Sequence, residues 1–246
     1  LFMFFMLKDS AQKASRVQRD SESLSVIDLL TAFSRLVKNP QVWINGLIGC
    51  LMWLPISIFA ETWGVFYLEN VHQLSRNVAG DACSMVFLGW AVGGTIVGWL
   101  SDRIQQRRIL MTLGAAVAAI MISVVLYFPG LNRAFLFPIL FLFGLFNSAQ
   151  VIVFAVGREL STNSAAGTAL ALTNMLVMFA GVLQPISGLL LDWVSPKVHM
   201  AQGALGYSHF AYEVALSILP IGLLLTVILS FFLKETYASD VGPHAR

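Results

Sequence analysis

Six stretches of the chain run for about 20 residues with almost no Lys, Arg, Asp or Glu: 42–64, 82–100, 109–128, 135–157, 167–191 and 211–233. Each is long enough to cross a hydrocarbon core of about 30 Å as a helix. They lack the strict apolar/polar alternation of a membrane barrel, and in lipid every backbone group must find a partner within its own segment. The pattern therefore predicts an all-α polytopic membrane protein with six transmembrane helices, a domain of residues 41–233.

Polar positions fill the rest. The opening LFMFFML, residues 1–7, is too short to span and is expected to be the tail of a preceding transmembrane helix. Residues 8–40 carry six Lys/Arg against four Asp/Glu and read as a linker. Within it Val26, Ile27, Leu30, Phe33, Leu36 and Val37 recur every three to four positions, predicting an amphipathic helix, with Ser25 and Asp28 placed to cap its start. Such a helix lies on the membrane surface or packs on other protein. Residues 234–246 form a polar tail.

Composition agrees with this setting: 57% of residues are hydrophobic and 11% charged, against about 25% charged in soluble domains. Charge then gives an orientation. With residues 8–40 and the C-terminus in the cytoplasm, twelve Lys/Arg fall inside, while Arg76, Arg133 and Lys197 fall outside, as the positive-inside rule expects. The same orientation puts GWLSDRIQQRR, residues 98–108, on the cytoplasmic face as a charged knot between two apolar spans.

The knot carries a family resemblance. Gly98, Ser101, Asp102, Arg103, Arg107 and Arg108 resemble the loop signature Gly-x-x-x-Asp-Arg-x-Gly-Arg-Arg of the major facilitator superfamily, with Gln105 and Gln106 standing where the family has Gly and Arg. A second stretch, residues 157–192, resembles the loop between the tenth and eleventh helices and the eleventh helix itself, through Arg158, Glu159, Gly167, Asn174, Gly181, Pro185, Gly188 and Asp192. The resemblance implies the C-terminal six-helix half of a twelve-helix carrier, with an N-terminal six-helix half as its partner. It also implies that the knot, with Arg158 and Glu159, latches the cytoplasmic gate. Charge chemistry fits that role: Asp102 is expected beside a neighbouring helix N-terminus, and Arg107 or Arg108 is placed to bridge to Glu159.

Polar side chains inside spans are costly in lipid and mark cavities or helix contacts. The first span holds Asn45 and Glu61, the fourth Asn147 and Gln150, and the fifth Asn174 and Gln184. These are the helices that the resemblance places around the central cavity. Asn147 and Gln150 share a helix face, with Phe154 one turn on, and read either as substrate ligands or as interhelical hydrogen bonds. Glu61 sits roughly 28 Å along its helix and reads either as a proton-coupling carboxylate or as one reaching surface water beside Trp63 and Tyr67. Gly89, Gly93, Gly94 and Gly98 form two Gly-x-x-x-Gly pairs that predict close helix packing, and Pro55 and Pro185 predict broken helices.

Other chemistries find no support in the sequence. Cys50 and Cys83 form no CxxC pair, His72, His199, His209 and His244 are scattered, and no phosphate-binding Gly-rich loop occurs, so no metal, cofactor or enzyme activity is expected. The net charge of +2 is explained by orientation and implies no nucleic acid. The absence of an Asn-x-Ser/Thr site is compatible with a bacterial inner membrane. The expectation is a secondary carrier of a small polar metabolite (an amino acid, short peptide, sugar or organic acid), with a coupling proton as a second solute. The alternatives are a half-carrier that transports nothing alone and an efflux antiporter of the same fold.

Overall fold

The computed structural model describes residues 26–162, 165–195, 198–199 and 205–237. The expected tail helix of residues 1–7, Ser25, Lys197, His244 and most of the linker lie outside the described residues, as do the side chains of Val26, Ile27, Asp28 and His199. A helix α1 (Val26–Lys38) precedes six long apolar helices: α2 (Pro40–Asn70), α3 (Arg76–Ile104), α4 (Arg107–Tyr127), α5 (Arg133–Glu159), α6 (Ala166–Val194) and α7 (His209–Phe232). Each is long enough to cross a bilayer, and the chain is an integral membrane protein. Between α6 and α7 a short antiparallel ladder pairs β1 (Val198–His199) with β2 (Leu205–Gly206).

Most of the helices run past the charge-free windows because polar caps, rather than apolar limits, end them. Asn39, Asn132 and Ser208 each accept a hydrogen bond from a first-turn amide: Gln41 at 3.0 Å, Ala134 at 3.3 Å and Ala211 at 3.2 Å. Helix α3 ends at Gln105, which takes the left-handed conformation at φ 59°.

Helix α2 is the hub. Of its apolar window 78% is buried, against 22% for α3 and 28% for α6, so these two expose the broadest faces of the bundle. The side chains of Ile48, Met52, Phe59, Tyr67 and Leu68 on α2 are fully buried. Lipid tails are as apolar as these side chains, so the helices are held by close packing rather than by apolar burial alone.

The closest approach is α3 on α5. A Cβ on Gly89 would sit 2.0 Å from the Phe141 carbonyl oxygen, one on Gly93 2.4 Å from that of Leu145, and one on Gly144 2.0 Å from that of Val86. The expected second glycine pair behaves otherwise. Gly98 meets nothing within 4 Å and Gly94 only Val151 Cγ1 of α5, at the ordinary contact distance of 3.9 Å, so this pair brings no helix into close approach.

Three of the helices change winding partway. Pro55 has no N–H to continue the α ladder, and α2 widens to a π-helix over Pro55–Trp63. Helix α5 tightens to a 3-10 turn at Ser148–Val151. Helix α6 does not break at Pro185, as its sequence suggested, but at Phe179, where Phe179 N bonds Leu176 O and Val182 N bonds Phe179 O.

Candidate functional site: a charge knot and the polar positions of the helices

Arg107 opens α4 with a side chain only 10% exposed, and its guanidinium is met from two helices. One Nη donates to Asp102 Oδ1 and to Ser101 Oγ, both at 2.8 Å. The other Nη and Nε donate to Glu159 Oε1 at 2.9 and 3.2 Å. The planar fork thus joins the end of α3, the start of α4 and the end of α5 through charge-assisted bonds.

Sequence reasoning missed the other half of this knot. Just past α7, Glu235 accepts hydrogen bonds from the backbone amides of Arg107 and Arg108 at 2.9 and 3.1 Å, capping the N-terminus of α4. Thr236 donates to Glu159 Oε2, and the Arg107 guanidinium lies 5.1 Å over the Tyr237 ring. The tail therefore belongs to the knot from its first residues. The helix-terminus role expected of Asp102 falls to Glu235, while Asp102, 68% exposed, pairs among the described residues only with Arg107.

The remaining basic residues of the motif stand apart from this network. Arg107 alone, and not Arg108, reaches Glu159. Arg103 lies 5.4 Å over the ring of Trp99. Among the described residues Arg108 and Arg158 form no ion pair, and Gly98 faces open space. The side of the knot not used for internal bonding thus presents cations.

The polar candidates of the helices divide into two groups. Asn45 and Asn147 are buried and tie α2 to α5: Asn45 Nδ2 donates to Val153 O at 2.9 Å and Asn147 Nδ2 to Met52 O at 3.1 Å. Gln184 does the same between α6 and α2, donating to Ser57 O at 2.7 Å and Thr62 Oγ1 at 3.0 Å within the π segment. Gln150 is buried beside Asn147 on the 3-10 turn. Glu61 and Asn174 differ, since both are exposed and make no hydrogen bond or ion pair among the described residues. A second acidic residue that the sequence reading passed over stands inside a span: Glu213 in α7 lies 3.5 Å from His209 Nε2.

The end of the bundle opposite the knot is closed by aromatic residues. Trp63 Nε1 donates to Ser187 Oγ at 2.9 Å, and edge-on ring contacts run from Trp63 through Tyr207 and Tyr212 to Tyr67 and His72. Burial, with a 2.5 Å bond to Asp192, pushes the Tyr207 hydroxyl up to about 12. His72 Nε2 lies 3.1 Å from the Val125 carbonyl, to which the Tyr67 hydroxyl also donates. Burial holds its imidazole below the usual histidine range.

The sequence profile of the Major Facilitator Superfamily matches residues 1–185. Among curated proteins the chain is 26% identical to a "Probable hexose phosphate transport protein" of Chlamydia trachomatis serovar D, over 65% of this chain and 36% of that protein. It is 25% identical to the "Membrane sensor protein UhpC" of Salmonella typhimurium strain LT2, over 74% of this chain and 39% of that protein. A "Probable hexose phosphate transport protein" of Chlamydia muridarum is likewise 25% identical, over 65% and 36%. The chain thus spans a little over a third of the length of these relatives.

Proposed function

The chain belongs to the Major Facilitator Superfamily, and from that premise we propose that it forms the C-terminal six-helix half of a secondary carrier moving a small polar metabolite by alternating access. It is a transporter-family protein and not an enzyme. In this reading residues 41–233 are the transmembrane half, residues 8–40 and the tail are cytoplasmic, and the membrane is a bacterial inner membrane. The N-terminal half supplies the opposite wall of the cavity.

The observation that carries this reading is the division among the polar side chains. Asn45, Asn147 and Gln184 are spent on neighbouring helices, whereas Glu61 and Asn174 are exposed and have no polar partner among the described residues. A polar group left unpaired along a membrane helix is expensive unless it meets water, a solute or a second protein surface. Glu61 and Asn174 are therefore the substrate-facing groups, with Glu61 also the group for a coupling proton. The names of the relatives favour a sugar phosphate among the polar metabolites. The described helices hold Lys and Arg only at their ends, so the cation for such a phosphate would come from the other half.

At the knot, Arg107 joins three helices in the state described, so opening that end requires the Asp102–Arg107–Glu159 contacts to part. A second reading follows from the sensor among the relatives: the same cavity binds its solute without exchanging it.

Single cysteines at 61, 174 and 147 of the full-length protein, probed with a membrane-impermeant maleimide, test the assignment. Labelling at 61 and 174 that a sugar phosphate, sugar or amino acid suppresses, with position 147 unreactive, is the expected result. Labelling at 61 and 174 that no polar solute alters overturns it.

A further inference from the structure

Helix α1 is fixed at one end and uncovered at the other. Near its C-terminus Leu36 is buried with Val42, Ala169 and Leu172, against the starts of α2 and α6. One and two turns earlier the apolar stripe continues uncovered, with Phe33 43% and Leu30 63% exposed. Beside that stripe Leu30, Thr31, Ser34, Arg35 and Lys38 line one shallow groove along the helix. Arg35 and Lys38 have no ion-pair partner among the described residues.

The depth of this groove is marked by tryptophans. Trp43, 47% exposed at the start of α2, donates its Nε1 to Val37 O at 2.7 Å, binding the end of α1 to the first turn of a membrane helix. At the same end Trp99 is 61% exposed and carries Arg103 over its ring. Exposed tryptophans with one polar handle belong at the membrane–water boundary, and cations stacked or set beside them reach the head groups. Helix α1 therefore leaves the bundle at head-group depth, with Leu30, Phe33, Arg35 and Lys38 all uncovered by the described residues.

The geometry points to α1 as a binding site for an anionic phospholipid. Its phosphate is held by Arg35 and Lys38, and its acyl region is covered by Leu30 and Phe33. A groove joining an apolar wall to two unpaired cations matches a molecule that joins hydrocarbon to an anion, which neither free phosphate nor a zwitterionic lipid satisfies in full. The site lies outside the substrate-facing groups of the proposed carrier and stands independently of what that carrier moves.

The test is lipid titration of the purified full-length protein by native mass spectrometry, with phosphatidylglycerol, phosphatidylcholine and inorganic phosphate as separate probes. Each cation near an anionic lipid surface is worth about a factor of five, so Arg35→Gln with Lys38→Gln should weaken phosphatidylglycerol binding roughly 30-fold. Leu30→Ser with Phe33→Ser should weaken both lipids, and none of these exposed positions should shift the unfolding temperature. Equal binding of the two lipids, displacement of bound lipid by inorganic phosphate, or unchanged binding by R35Q/K38Q would overturn the proposal. So would protection of a cysteine at 30 from labelling in lipid-free protein, which would mean that protein covers the groove.

Discussion

Glu235 and Arg107 stand 128 residues apart in sequence, yet the carboxylate of the first accepts the backbone N–H of the second at 2.9 Å. This contact joins the third residue past the last membrane helix to the first residue of the third membrane helix. The tail becomes part of the same charge knot that holds Asp102 and Glu159.

Removing that cap should weaken the bundle without dissolving the knot. Glu235→Ala is expected to cost about 1 kcal/mol, the usual worth of a helix N-terminal acceptor with a favourable dipole. Glu235→Gln should cost less. The check is the unfolding midpoint of the full-length protein in detergent, and the loss from E235A should shrink as salt is raised.

Within the knot the two carboxylates should not be equivalent. The Glu159 side chain is 14% exposed and that of Asp102 68%, so only the first is screened weakly. Arg107→Ala leaves the part-buried Glu159 without its cation and should cost about 3 kcal/mol, whereas Asp102→Asn should cost under about 1 kcal/mol. A double-mutant cycle across 107 and 159 against one across 107 and 102 measures the difference directly.

The two glycine pairs of α3 should respond in opposite ways. Gly89→Ala would drive a methyl group to 2.0 Å from the Phe141 carbonyl oxygen, so the helices must part at a cost of about 2 kcal/mol or more. Gly98→Ala enters open space and should leave the unfolding midpoint of these six helices unchanged. If G98A instead lowers transport in the complete protein, that surface meets the second half.

Acid should loosen the end opposite the knot. Burial, against the opposing bond to the Val125 carbonyl and with a smaller push from His209, holds the folded pKa of His72 below the unfolded value near 6.5. A depressed histidine binds fewer protons folded than unfolded. Stability is therefore full above about pH 6.5 and falls as the pH drops towards the folded pKa. His72→Gln, which keeps a donor for the Val125 carbonyl, should flatten this slope when unfolding midpoints are compared between neutral and mildly acidic buffer.

What the sequence makes visible is what short-range physics controls. Six helices follow from charge-free runs of membrane length, and the knot follows from Asp102, Arg107 and Arg108 standing between two of them. Their ends were less legible, because Asn39, Asn132 and Ser208 cap beyond the apolar limit. Pro55 was readable as an interruption, but the breaks at Phe179 and Ser148 carry no local signal. Least legible was Glu235, whose role depends on α7 ending beside α4. Similarly, an amide in a span reads the same whether it is left exposed, like Asn174, or ties down a backbone carbonyl, as Asn147 does with Met52.

The most direct test of the account is solute counterflow in proteoliposomes containing the full-length protein, loaded in turn with a hexose phosphate, a hexose, an amino acid and a dicarboxylate. The account predicts exchange of at least one of these above protein-free vesicles, reduced at least about tenfold by Glu61→Ala, an interaction loss of some 1.4 kcal/mol. Absence of exchange for every solute by protein that unfolds cooperatively at its normal midpoint would contradict it.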